Sequence, residues 1–199
     1  MAFWGRPPSK SDLRFREIVR ILKSHPDPGQ REEAAVQLQF QGQRALEPLI
    51  EALRTDPSAD VREAAAAHLG KVGKGSSAAV DALIEALRYG PEEVPGWAAH
   101  ALGEIGDLRA FQPLVEALRL EAEDFAENAV DSRENWFRRF RRIHAASALG
   151  KLGDPRAVPY LVEALQNDPF GFVLDKYYID ALKMIGTPEA VEVIRRFGA

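Results

Sequence analysis

The chain has 199 residues, of which 46% are hydrophobic and 28% charged, with a net charge of −4. That composition fits a folded globular chain and gives no global positive field for nucleic acid or an anionic membrane. There are no cysteines, which excludes disulfides, thiolate metal sites and cysteine nucleophiles, and a cytoplasmic setting is expected. No apolar run approaches the ~20 residues of a membrane span. Pro7-Pro8 stands where a secretory leader needs an apolar stretch, so none is expected.

In chain order, Ser11 to Lys23 comes first, with Phe15, Ile18, Val19 and Leu22 at helical spacing. It reads as a lone amphipathic helix that caps a repeat array. The repeat itself is plain in the residues. Leu69-Gly70-Lys71-Val72-Gly73 recurs as Leu102-Gly103-Glu104-Ile105-Gly106 and Leu149-Gly150-Lys151-Leu152-Gly153, with weaker copies at Leu182 and Leu38. A second block comes after each of the first four copies: Leu49-Ile50-Glu51-Ala52-Leu53, Leu83-Ile84-Glu85-Ala86-Leu87, Leu114-Val115-Glu116-Ala117-Leu118 and Leu161-Val162-Glu163-Ala164-Leu165. The closing glycines lie 31, 33, 47 and 33 residues apart, so one unit carries an insertion.

Each unit reads as two helices. Asp60 is expected to cap the second unit's first helix, with Glu63 reaching back. Gly73, Gly106 and Gly153 are expected to end helices in the left-handed conformation. Gly70, Gly103 and Gly150 lie inside helices, where glycine costs about 1 kcal/mol, so a neighbouring helix must approach closely there. Asp154-Pro155 and Thr187-Pro188 read as a cap followed by proline at the first helical position. One such hairpin cannot bury its apolar face alone, but stacked hairpins can. The expected fold is all-α, a right-handed α-solenoid without strands. It has a cap at 11–23, repeats at 27–59, 60–92, 93–120, 132–170 and 171–199, and an acidic insertion at 121–131. The junction across that insertion is expected to be the weakest.

The run Leu149-Gly150-Lys151-Leu152-Gly153-Asp154-Pro155-Arg156-Ala157-Val158-Pro159-Tyr160-Leu161-Val162-Glu163-Ala164-Leu165 resembles the HEAT-like repeat of the phycobilisome-lyase type. The resemblance implies a HEAT-like α-solenoid. It also implies a range of roles, from bilin lyases and adaptors to hydroxylases that hold iron on His-Glu dipeptides. No His-Glu dipeptide occurs in this chain.

Candidate chemistry is sparse. His68, His100 and His144 occupy three different repeat columns and are not expected to form a ladder. His100 and Glu104, four residues apart, read as a solvated pair. No serine sits in a hydrolase elbow, and Gly70 to Gly75 lacks the spacing of a phosphate loop. Glu51, Glu85 and Glu116 each precede an arginine by three residues (Arg54, Arg88 and Arg119), and Glu163 shares their column. They read either as intrahelical pairs or as a binding stripe on second helices lining the concave side. Arg31, Arg62 and Arg142 share another column and are expected to ladder with Asp107 and Asp154.

The copies differ most in the inter-hairpin connections, which are expected on one edge of the stack. These carry Tyr89, Trp97, Phe125, Trp136, Phe137, Phe140, Phe170, Phe172, Tyr177 and Tyr178. The insertion begins acidic, with −5 from Glu121, Glu123, Asp124, Glu127 and Asp131, and turns basic from Arg133 to Arg142, at net +4. Either the acidic arm folds back on the arginines while Trp136 and Phe140 pack inward, or arginine and aromatic faces hold a partner. The expected partner-binding residues are Trp97, Trp136, Arg138, Arg139, Arg141, Phe170, Phe172 and Tyr177. Trp97, His144 and Tyr177 share one column and are expected to be partly exposed and adjacent.

The leading functional expectation is a non-enzymatic interaction scaffold that binds a partner protein through its concave helices and this rim. No catalytic residue, cofactor or metal site is assigned. The alternative, implied by the resemblance, is a bilin or tetrapyrrole lyase or chaperone. A third, nucleic-acid binding through Arg138 to Arg142, is opposed by the net charge.

Overall fold

The computed structural model describes residues 8–91, 93–119, 132–167 and 172–197. Within them the chain forms α-helices joined by short turns, and no strand. The acidic insertion at 121–131, including Phe125, lies outside the described residues, as does Phe170.

Helix α1, Lys10–Ser24, starts at a capping box: Ser9 Oγ accepts the Asp12 N–H, and the Asp12 carboxylate accepts the Ser9 N–H. It buries Ile18 and Leu22 against α2 (Pro28–Leu38) and α3 (Leu46–Thr55), as a cap should. Four further pairs complete the array: α4 (Ala59–Val72) with α5 (Ser77–Tyr89), α6 (Val94–Ile105) with α7 (Phe111–Arg119), α8 (Arg133–Leu152) with α9 (Val158–Asn167), and α10 (Phe172–Ile185) with α11 (Pro188–Phe197). The first helices α2, α4, α6, α8 and α10 pack in series, and so do the second helices. The motif leucines Leu38, Leu69, Leu102, Leu149 and Leu182 are all fully buried.

The inner glycines explain the first-helix layer. A Cβ on Gly70 would lie 2.9 Å from Ala101 Cα, one on Gly103 would lie 2.8 Å from Ala148 Cα, and one on Gly150 would lie 2.8 Å from Ala181 Cα. Each glycine therefore admits the alanine that precedes the next motif leucine. The ladder stops at the N-terminal end, where the same register sets Gln39 opposite His68. There α2 ends at Leu38 in a 3-10 stretch, and Lys71 bonds the Gln39 side chain instead.

The first helices lie closer together than the second helices. A stack that is tighter on one side curves toward that side, so the first helices form the inner layer. The sequence pattern put the second helices there, and the spacing reverses it. Across the insertion α6 and α8 are among the most closely packed helices, so the packing of the first helices gives no sign of the expected weak junction.

Other expectations change locally. Helix α4 begins at Ala59 with Ser58 as N-cap, and Asp60 lies in its first turn without capping it. Gly106 and Gly153 are left-handed at φ 75° and 66°, but Gly73 is right-handed at φ −83°, and Gly75 takes the positive φ. The Asp154 and Thr187 caps form as expected, accepting the Arg156 and Ala190 N–H groups.

The carboxylate column is neither intrahelical nor vacant. Arg54 pairs with Glu85 at 3.1 Å, Arg88 with Glu116 at 3.0 Å and Arg119 with Glu163 at 2.8 Å, while Lys23 reaches Glu51. The three arginine bonds each join one second helix to the next, and Lys23 joins the capping helix α1 to α3, forming an exposed ladder worth little per pair. Asp107 and Asp154 bind Arg109 and Arg156 locally, not the Arg31 column. Arg31 instead holds Asp56 in a buried fork, with Nε to Oδ2 at 2.8 Å and Nη2 to Oδ1 at 2.9 Å.

Two stability outcomes are expected. Gly103→Ala, ordinarily helix-stabilising, should lower the unfolding free energy by about 1–3 kcal/mol in urea titration, because its methyl meets Ala148. A neutral or stabilising result would contradict the close approach. Arg31→Leu is expected to cost about 3–5 kcal/mol in the same titration, since it leaves the Asp56 carboxylate buried alone.

Candidate functional site

The aromatic residues gather where α6 and α8 run side by side. Helix α8 has 20 residues against 12 for α6. Ser132 caps it by accepting the Asn135 N–H, and Trp136 to Arg142 lie within the helix. Gly96 at the start of α6 opens the space: a Cβ there would sit 2.2 Å from Phe140 Cδ1. The Phe140 ring consequently lies directly on the α6 backbone.

Around it the rings interlock. Phe140 meets His144 edge-on with centroids 4.4 Å apart, Trp97 at 5.6 Å and Trp136 at 5.7 Å. Trp97 stacks on His144 at 5.9 Å and meets His100 edge-on at 6.1 Å. His100 and His144 stand edge-on at 5.4 Å. Distances and tilts of this kind are those favoured between aromatic rings. Trp136 is 46% exposed and donates its indole N–H to the Glu93 carboxylate at 3.3 Å.

The sequence columns kept His100 and His144 apart. They meet because the two residues sit on adjacent helices, where register along one helix does not measure distance to the next. The expected Trp97–His144 contact is present. Tyr177, one helix further, is 39% exposed, while its neighbour Tyr178 is fully buried and leaves the rim. Phe172 begins α10. Glu104, below His100, pairs with Lys151 of α8 across the helices, not with His100.

The arginines divide. Arg138 bonds Glu134 one turn back at 2.8 Å. Arg139 is half-buried on the same helix. Arg141 is also half-buried, and its Nε has no acceptor among the described residues. Burial, with the Arg138 charge nearby, lowers its pKa to about 10. Arg142 is buried.

The imidazoles are held neutral. Burial lowers the His144 pKa to about 4, helped by the His100 and Lys151 charges, and burial also lowers that of His100. Neutral rings in contact with tryptophan and phenylalanine form an aromatic surface, not a cationic one. Among the described residues no three His, Asp or Glu side chains gather for a metal ion, and no helix is long and apolar enough to cross a membrane. Among those residues, too, no nucleophile stands beside a base and an orienting acid within this patch.

The pH dependence is set by these shifts. A folded pKa below the unfolded value means that the unfolded chain binds the extra proton as pH falls below about 6.5. Stability is therefore expected to decline between pH 6.5 and about 4.5, before the paired carboxylates begin to titrate. His144→Phe should flatten that decline in thermal melts. An equal decline in the variant would contradict the burial of His144.

The comparisons agree with this geometry. A model described as HEAT repeats matches residues 15–95 and 46–132, and one described as PBS lyase HEAT-like repeat matches 141–167. A search of the curated proteins finds no match. Among solved structures, a chain in the complex of CpcE and CpcF of phycocyanin lyase from Nostoc sp. PCC7120 is similar at TM-score 0.69 and 21% identity. The match covers 98% of this chain and 74% of that one. With the motif leucines buried, the Gly–Ala contacts in place and the HEAT model spanning more than half its length, the chain belongs to the HEAT-repeat family.

Proposed function

We propose that this chain is a non-catalytic HEAT-repeat scaffold that binds a partner protein on the inner layer, through the patch of Trp97, His100, Trp136, Phe140 and His144. The observation that carries this reading is the exposed Trp136 ring standing on an interlocked cluster of rings. Rigid, packed aromatics lose little entropy on binding, and tryptophan and arginine are the residue types richest in hot-spot energy. Arg141, one residue after Phe140 on α8, and the 39% exposed Tyr177, which shares the column of Trp97 and His144, would extend the contact. The similar solved chain comes from the complex of CpcE and CpcF of phycocyanin lyase, which supports a protein partner here as well.

The similarity to a phycocyanin lyase chain, with the exposed ring faces of the patch, also supports a second reading, a tetrapyrrole held there. A planar ring system would stack on Trp97 and Trp136, and its carboxylates would suit Arg141 and Lys151. A bilin- or haem-dependent change in visible absorbance, lost in Trp136→Ala, would favour this reading. An unchanged spectrum would remove it.

The test of the scaffold reading is affinity capture with wild-type chain and two variants. A partner retained by wild type and weakened about tenfold or more by Trp136→Ala, but not by Arg88→Ala on the outer layer, is the expected result. Retention equal in all three would overturn the reading.

A further inference from the structure

Two equivalent clefts open along the second-helix layer, one repeat apart. In the first, between α1 and α3, Arg31 of α2 is fully occupied. Its Nε and Nη2 fork onto the Asp56 carboxylate, and its Nη1 donates to the His25 carbonyl at 2.8 Å. In the second, between α3 and α5, Arg62 of α4 takes the place of Arg31. Both arginines stand seven residues before their motif leucine, Leu38 or Leu69. The Arg62 Nη1 donates at 2.5 Å to the Asp56 carbonyl, which corresponds in the repeat to that of His25.

The carboxylate is what differs. Asp56 lies three residues after Leu53, and the residue three after Leu87 is Gly90. The Arg62 Nε is buried and has no acceptor among the described residues. Gly90 cannot carry the missing group without a backbone shift, because a Cβ there would lie 2.4 Å from the Ala86 carbonyl oxygen. Beside Arg62 is a cavity of about 360 Å³ lined by Leu53, Ala82, Ala86 and Val94, against about 250 Å³ for the cleft that holds Asp56. Tyr89, 81% exposed, stands beside it. Arg54 and Glu85 also line it and pair with each other.

We propose that this cleft is a binding site for a ligand carboxylate carried on an apolar stem, with Arg62 as its anchor. The neighbouring Arg31–Asp56 fork is the template: the ligand supplies the oxygens that Asp56 supplies one repeat earlier, and its stem fills the apolar walls. A buried guanidinium N–H without an acceptor gains a charge-assisted hydrogen bond when a carboxylate arrives. The volume is within the range of small-molecule sites. This site is separate from the aromatic patch on the inner layer, and its outcome does not depend on that reading.

The test uses the full chain and two matched probe pairs: 3-phenylpropionate with 3-phenylpropionamide, and acetyl-Ala-Phe as free acid with its C-terminal amide. Binding is read by calorimetry and by NMR shifts of the Gly90 amide and the Arg62 Nε–H. The acids are expected to bind and shift both signals, and the amides to bind about tenfold or more weakly. R62Q should lose that preference. If that variant does not fold, the acid–amide comparison on the unaltered chain decides alone. A tenfold preference for the peptide acid over the small acid assigns the site to a protein chain end, and equal binding assigns it to a small-molecule acid. Acids that leave Gly90 and Arg62 unmoved, or amides that bind as well as acids, would overturn the proposal.

Discussion

The close approach of one first helix to the next, glycine against alanine, is the constraint on which the rest of this structure depends. Gly70, Gly103 and Gly150 each leave room for a backbone where any side chain would collide. The first helices draw together and become the inner layer. The second helices, held by longer side chains, spread apart and bridge the gap with Arg–Glu pairs. The rings on α6 and α8 are brought within contact distance, which no single repeat could achieve.

Where the ladder is interrupted, the structure improvises. At the N-terminal end Gln39 and His68 stand where glycine and alanine stand elsewhere, and the helix ends early. At Gly96 a different glycine serves a different neighbour and receives the Phe140 ring instead of a methyl. At Gly90 the absence of a side chain leaves an arginine without the carboxylate that its repeat equivalent has. Departures from the repeat thus coincide with both proposed binding sites, as they should if the repeat itself supplies only the frame.

The fold was legible because its determinants are local or periodic. The inner glycines, the Asp154 and Thr187 caps and the capping helix could all be read by counting residues, and each appears where counting placed it. The site was legible only in part. Trp97 and His144 share a column and do touch, but His100 and His144 do not share one and touch as well. The Glu51 column failed for the same reason: an arginine three residues away along a helix is a visible neighbour, whereas the one on the preceding second helix is closer in space. Gly73 and Gly75 show the limit of turn reading, since either could have taken the left-handed position: Gly75 takes it, while Gly73 sits right-handed where a Cβ would crowd the Leu69 carbonyl, Ala79 and Ile105.

The most direct test of the glycine–alanine constraint is nuclear Overhauser contact between α6 and α8 in solution. The account predicts strong cross-peaks from the Gly103 Hα protons to the Ala148 methyl, and from the Gly96 Hα protons to the Phe140 ring. If these cross-peaks are missing while both helices remain folded, the helices do not approach closely, and the glycines and the aromatic patch need another explanation.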